Sequence, residues 1–158
     1  MATKTRDLPQ ASSLPKVRAL LAAIAAGHDG SLVDAGTAAG LSPRHAQYYG
    51  LAATITLGLA AHEGDHLVVT PLGRDLLATR EESLEERAAL RRAIAESPSV
   101  ASIAHDLVEP DGPTLEALTH RLVHAGLSEA TARRRASTLL AWRRYVLERQ
   151  ATLGLPRR

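Results

Sequence analysis

Apolar positions recur at helical spacing along most of the chain. Val17, Leu20, Leu21 and Ile24 form a stripe behind Pro15 and predict a helix over residues 14–26. Gly27-His28-Asp29-Gly30 breaks it, and Ser31 opens a short second helix over 32–39 that ends at Gly40. Ser42 and Pro43 begin a third helix at once. A serine hydroxyl can accept from the free N–H groups of a helix start, and proline loses no hydrogen bond at the first helical position. This helix is expected to run over 43–57, with Gly58 as its stop. Ala46, Tyr49 or Gly50, Ala53 and Leu57 follow a spacing of three and four and face the core. Arg44, His45, Gln47, Tyr48 and Leu51 are left outside. The pattern then changes. Glu63-Gly64-Asp65 is a turn signal and Leu67-Val68-Val69 favours a strand, which together predict a β-ribbon over 62–69. Residues 70–77 read as a turn and a helix that packs back on the core.

The second half is helical throughout. Ser83 and Glu86 fit a capping box ahead of a charged helix reaching Glu96, with Leu84, Ala88, Leu90 and Ile94 on its apolar side. Ser97-Pro98-Ser99 interrupts, and Val100 to Val108 makes another helix. Glu109 to Pro113 is a loop, Thr114 caps a helix over 115–125, and Ser128 starts a long one to about Arg149. In that last helix Ala132, Ala136, Leu139, Leu140 and Trp142 or Tyr145 make the inner side. Ser128, Thr131, Arg133, Arg134 and Ser137 are presented outward.

Ala39-Gly40-Leu41-Ser42 recurs as Ala125-Gly126-Leu127-Ser128, each time joining a short helix to a longer one. The repetition divides the chain into related units over 14–80 and 81–149, flanked by a small, polar, mobile arm over 1–13 and a basic tail over 150–158. Helix, tight turn, helix is the helix-turn-helix arrangement. The expected fold is therefore mainly α with a small β-ribbon, a tandem winged helix-turn-helix.

Charge sharpens this reading. The net charge of +2 is modest, yet it is unevenly placed. Residues 126–158 hold 8 Arg against 2 Glu, whereas residues 81–125 hold 4 Arg against 9 acids. Such a separation makes a directed field that attracts phosphate. Every basic residue after Lys16 is arginine, whose fork of donors suits phosphate and guanine.

The run Arg44-His45-Ala46-Gln47-Tyr48-Tyr49, with Ala52-Ala53, Leu57-Gly58-Leu59 and Thr70-Pro71-Leu72-Gly73-Arg74, resembles winged-helix modules of bacterial DNA-binding proteins, including those beside restriction and other defence proteins. Leu127-Ser128, Thr131 to Arg135, Ser137-Thr138-Leu139 and Trp142 are similar to the terminal unit of the same tandem arrangement. The resemblance spans about residues 14–149 and implies binding of double-stranded DNA. Larger members carry a nuclease or ATPase domain, and its absence from this sequence is a departure from their pattern.

On that basis Ser42, Arg44, His45, Gln47 and Tyr48 would meet a major groove and its phosphates, with His66 of the ribbon on the backbone. Ser128, Thr131, Arg133, Arg134 and Ser137 would meet a second site. Three consecutive arginines spread around most of a turn, so at least one of Arg133, Arg134 and Arg135 is expected to pair with the acids of 81–125. A homodimer would read half-sites about one helical turn apart.

Other chemistry is poorly supported. The chain has no Cys, so disulfides and thiolate zinc sites are excluded. His62-Glu63-Gly64-Asp65-His66 has the H-E-x-x-H spacing, but zinc hydrolysis needs both His on one helix face, and Gly-Asp before a strand predicts a turn. His120 and His124 are four apart on a helix and are expected to be partly buried rather than metal ligands. No nucleophile elbow or phosphate loop is present. Neither an enzyme nor a cofactor is expected. No apolar run approaches spanning length, so no membrane partner is expected and the location is cytoplasmic, on the nucleoid when bound. Two functions stand: a sequence-specific regulator of transcription, or a non-enzymatic adaptor or targeting subunit whose winged helices dock a protein partner, for which Leu51 on the reading face is suited.

Overall fold

The computed structural model describes residues 7–147. Within them lie eight α-helices and one two-stranded antiparallel sheet. The first half runs α1 (Leu14–Ala25), α2 (Leu32–Ala38), α3 (Pro43–Leu51), β1 (Ala60–Glu63), β2 (His66–Val69) and α4 (Pro71–Leu77). The second half runs α5 (Leu84–Glu96), α6 (Pro98–Ala104), α7 (Leu115–His124) and α8 (Glu129–Leu147), with no strand among the described residues.

Side-chain caps set most of the helix starts. Ser13, Ser31, Ser42, Thr70, Ser83, Ser97 and Thr114 each accept a backbone N–H three residues on. The expected break falls at Ser97, between the end of α5 at Glu96 and the start of α6 at Pro98. Pro98 occupies the first turn of α6, behind the Ser97 cap. That helix ends at Ala104, short of the expected Val108. The capping box at Ser83 is half realised. Ser83 Oγ accepts from Glu86 N at 3.1 Å, while Glu86 reaches one residue further back to accept from Glu82 N at 3.2 Å.

The stretch expected as one helix over 43–57 changes its winding. After Leu51 a π-helical turn covers Ala52–Thr56, and Leu57 N donates to Ala52 O at 2.9 Å. The wider turn places Ala52, Ala53, Thr56 and Leu57 all in the interior. Gly58 closes it with a φ of 61°, a left-handed conformation that glycine adopts without strain. The ribbon follows, with Ala60 opposite Val69 and Glu63 opposite His66. Leu67 is buried, and its N–H donates to Asp29 O at 2.7 Å, which ties the ribbon to the loop between α1 and α2.

The joints between α2 and α3 and between α7 and α8 agree bond for bond. Gly40 and Gly126 both have positive φ. Leu41 N donates to Gly36 O at 2.8 Å, and Leu127 N to Leu122 O at 3.1 Å. Ser42 Oγ accepts from His45 N at 3.2 Å, and Ser128 Oγ from Thr131 N at 3.3 Å.

Two expectations on organisation change. The segment preceding α1 is not a free arm over residues 7–13: Leu8 is 1% exposed and Ala11 is fully buried. Apolar burial, at roughly 25 cal/mol per Å², holds it down. In addition, the two halves meet in the core. Leu14, Leu20 and Leu59 of the first half share one hydrophobic cluster with Leu90, Leu118 and Trp142 of the second. Residues 1–6, the basic tail 150–158 and the expected end of the last helix at Arg149 lie outside the described residues.

Candidate nucleic-acid interface

α3 is fixed from behind by the close approach of α2. Gly36 lies against Ala46, where a Cβ on residue 36 would overlap the Ala46 side chain and come within 2.9 Å of its Cα. With Ala46, Tyr49 and Gly50 buried, the opposite face turns outward. Arg44, His45 and Gln47 are exposed and Tyr48 is half-buried, as the spacing predicts. Arg44 Nε donates to Tyr48 Oη at 3.1 Å, and its guanidinium carbon lies 5.6 Å from the Tyr48 ring centre. His45 meets Tyr49 edge to face, with ring centres 6.5 Å apart.

The segment before α1 is hydrogen-bonded to both α3 and α8. Ser13 N donates to Tyr49 Oη at 3.2 Å, and Trp142 Nε1 of α8 donates to Ala11 O at 2.6 Å. Between the two helices opens a cleft of about 740 Å³. From α3 it receives Arg44, His45, Tyr48 and Tyr49; from α8, Arg134, Arg135, Ser137 and Thr138. Gln10, Ser12 and Lys16 complete its wall. Among the described residues no carboxylate lines it, and four cations share the concavity: Lys16, Arg44, Arg134 and Arg135.

Arg135 differs from its neighbours. It lies on the inner side of α8, 7% exposed, and its Nε is shielded from solvent with no hydrogen-bond partner among the described residues. Burial, and secondarily the charge of Arg134, push its guanidinium below the ordinary arginine value, with Tyr48 acting the other way. The group nonetheless stays protonated.

The structure thus brings together Arg44, His45, Tyr48, Arg134 and Ser137 of the expected site. It does not bring the others. Ser42 and Ser128 use their hydroxyls as caps. Gln47 is exposed on α3 outside the cleft. Thr131 is half-buried and accepts from Arg134 Nη2 at 3.3 Å. Arg133 points to a separate depression of about 340 Å³ that includes Glu116, His120 and Glu129. His66 is exposed at the ribbon, opposite Glu63.

The expected pairing of the arginine triplet with the acidic middle is not found. Among the described residues no ion pair joins Arg133, Arg134 or Arg135 to a carboxylate. Glu86 is taken by Arg18 at 2.6 Å and Asp106 by Arg121 at 2.7 Å. The Arg121 hydrogen bonds hold the Asp106 carboxyl below its usual range. His62 and His66 stand on two strands of the ribbon rather than on one helix face. His120 and His124 are exposed, not partly buried.

Gln10, Ser12, Lys16, Tyr49, Arg135 and Thr138 line the cleft in addition to the expected residues. Two signals pointed toward them. Leu8, Ala11, Leu14 and Val17 recur every three residues, so the inward stripe of α1 begins before Pro15. Arg135 falls between Ala132 and Leu139 on the apolar stripe of α8, where a charge requires a partner. No known protein family, curated protein or solved structure matches this chain.

Proposed function

We propose that this chain binds double-stranded DNA as a tandem winged-helix protein and serves as a sequence-specific bacterial transcriptional regulator. The observation that carries the reading is the convergence of α3 and α8 on one arginine-rich cleft that no carboxylate lines among the described residues. Cations without a carboxylate partner among the described residues are available to phosphates, and the release of counterions drives binding. Arg44, His45 and Gln47 stand at the exposed start of α3, the part of a recognition helix that reaches base edges. The ribbon follows that helix directly and presents His62 and His66 to solvent. A homodimer would place two such surfaces on half-sites of a palindrome.

A second reading, a protein-docking adaptor, is favoured by Ile55, which is 46% exposed on the π-helical turn beyond α3. The unpaired arginines favour DNA over it.

Binding to labelled random duplex and to a genomic fragment pool over a salt series tests the proposal. If three or four of the cleft cations meet phosphates, the slope of log K against log salt is about −3 to −4, at about −0.9 per phosphate. Enrichment of one palindromic fragment supports a regulator, and uniform recovery a targeting or architectural binder. Absence of binding at low salt overturns the DNA reading and favours the adaptor.

A further inference from the structure

We propose that the cleft between α3 and α8 is a dedicated phosphate-binding site with Arg135 at its base. Its preferred ligand, a phosphate of the duplex backbone, rests on the DNA reading above. The site itself would equally take the phosphate of a free nucleotide.

Arg135 is 7% exposed, and its Nε is shielded from solvent without a hydrogen-bond partner among the described residues. Three arginines have a shielded, unpartnered Nε: Arg87, Arg135 and Arg143. Two of them are otherwise engaged. Arg87 donates through Nη1 to Tyr145 O and stacks on the Tyr145 ring at 4.1 Å. Arg143 donates through Nη2 to Pro110 O at 2.9 Å. Arg135 alone among the three has no hydrogen bond or ion pair within the described residues. Its desolvation is unfavourable unless an anion sits beside it.

The surroundings select that anion. Arg134, Arg44 and Lys16 add charge of the same sign, which would be repulsive around an empty site and attractive around a multiply charged one. The Tyr48 and Ser137 hydroxyls add neutral donors on either side. A carboxylate offers two acceptor oxygens and one charge. A phosphate offers more oxygens, in a tetrahedral array that several guanidinium groups can share. The cleft, at about 740 Å³, exceeds a bare phosphate and has room for the sugar and base attached to one, or for a short run of backbone. α3 and α8 supply the two walls, so the ligand would bridge both halves of the chain.

The test uses the full chain, with inorganic pyrophosphate, a nucleoside triphosphate and a random duplex as probes, and the variants Arg135→Gln and Arg133→Gln. Calorimetric titration should show pyrophosphate binding that Arg135→Gln weakens at least tenfold and Arg133→Gln, in its separate depression, does not. Without anions, Arg135→Gln should melt at or above the wild-type temperature, because it removes an uncompensated charge. Pyrophosphate should raise the wild-type melting temperature but not the variant's. A residue needed only for packing would lower it in both conditions.

The duplex arm separates the sources. Duplex binding weakened about tenfold by Arg135→Gln, with a salt slope smaller by about one, assigns the phosphate to the backbone. Arg135-dependent binding of pyrophosphate and the nucleotide, with no duplex binding, keeps the site and overturns the DNA reading. Duplex binding equal in wild type and Arg135→Gln, with the same slope, overturns the site and keeps DNA. Binding of no probe overturns both. Should Arg135→Gln fail to fold, the exposed pair Arg44→Gln with Arg134→Gln replaces it, and unchanged pyrophosphate affinity in that double variant overturns the site.

Discussion

Glu86 accepts three donors while only 2% exposed: Arg18 Nη1 at 2.6 Å, Tyr145 Oη at 2.6 Å and Glu82 N at 3.2 Å. A buried carboxylate persists only when its oxygens are satisfied in this way. The arrangement acts back on Tyr145. Burial, then the hydrogen bond to Glu86 and its negative charge, push the phenol up from 10.0 to about 12. Since the folded state binds this proton more tightly than the unfolded state, Tyr145 contributes stability that is fully present below pH 10.0 and is lost as pH rises toward about 12. Tyr145→Phe should therefore lower stability at neutral pH by about 1.5–3 kcal/mol, the worth of a hydrogen bond to a charged group. It should also flatten the alkaline loss. Urea denaturation at pH 7, 10 and 11 checks both, and parallel losses in wild type and variant above pH 10 would refute the assignment of the alkaline limb to Tyr145.

At the scale of elements, the joint between α2 and α3 sets where the exposed face of α3 points. Gly36→Ala would place a methyl group onto Ala46, with the α3 backbone too near to yield cheaply. Alanine gains about 1 kcal/mol in helix propensity there, but overpacking of this kind costs about 1–3 kcal/mol. The expected result is a net loss on the order of 1 kcal/mol, a lower melting temperature, and weaker duplex binding from a displaced α3. A variant with unchanged stability would show that the joint relaxes freely. These joints were legible in the sequence because their signals are local. Ser42 and Ser128 cap, Gly40 and Gly126 take positive φ, and the three-and-four spacing sorts each helix into faces. Local signals also limit what they prove: α1 closes with the same bond pattern, His28 N donating to Ala23 O at 3.0 Å. What the sequence hid depends on distant partners. The π-helical turn after Leu51 arises where Ala52, Ala53 and Thr56 must all turn inward. Leu8 and Ala11 looked like part of a polar arm because their stripe is interrupted by Pro9, Gln10, Ser12 and Ser13. The cleft itself could not be read from either helix alone, since no local pattern says that α3 and α8 lie side by side.

For the whole molecule, the decisive feature is that the halves share a core and line one cleft. Leu8 and Ala11 enter the cluster that holds Trp142, and Arg18 of α1 reaches across to Glu86 of α5. Two domains joined by a linker would unfold separately, whereas a continuous core unfolds as one. The chain has a single tryptophan, Trp142, fully buried in α8, so its fluorescence reports the second half. Far-ultraviolet ellipticity reports helices from both halves. The two signals should lose structure at the same urea concentration. Leu8→Ala sharpens the test because it removes a fully buried side chain before α1, far in sequence from Trp142. It should cost about 2–5 kcal/mol. It should also move both transitions together, although Trp142 itself is untouched. Were the Trp142 transition to stay in place while ellipticity fell early, the second half would be an independent folding unit. The cleft would then depend on docking between two bodies, and its affinity for phosphate would fall as they separate. One shared transition instead makes the cleft part of the folded core, so that α3 and α8 keep their relation whenever the protein is folded, as the proposed binding of one phosphate by both requires.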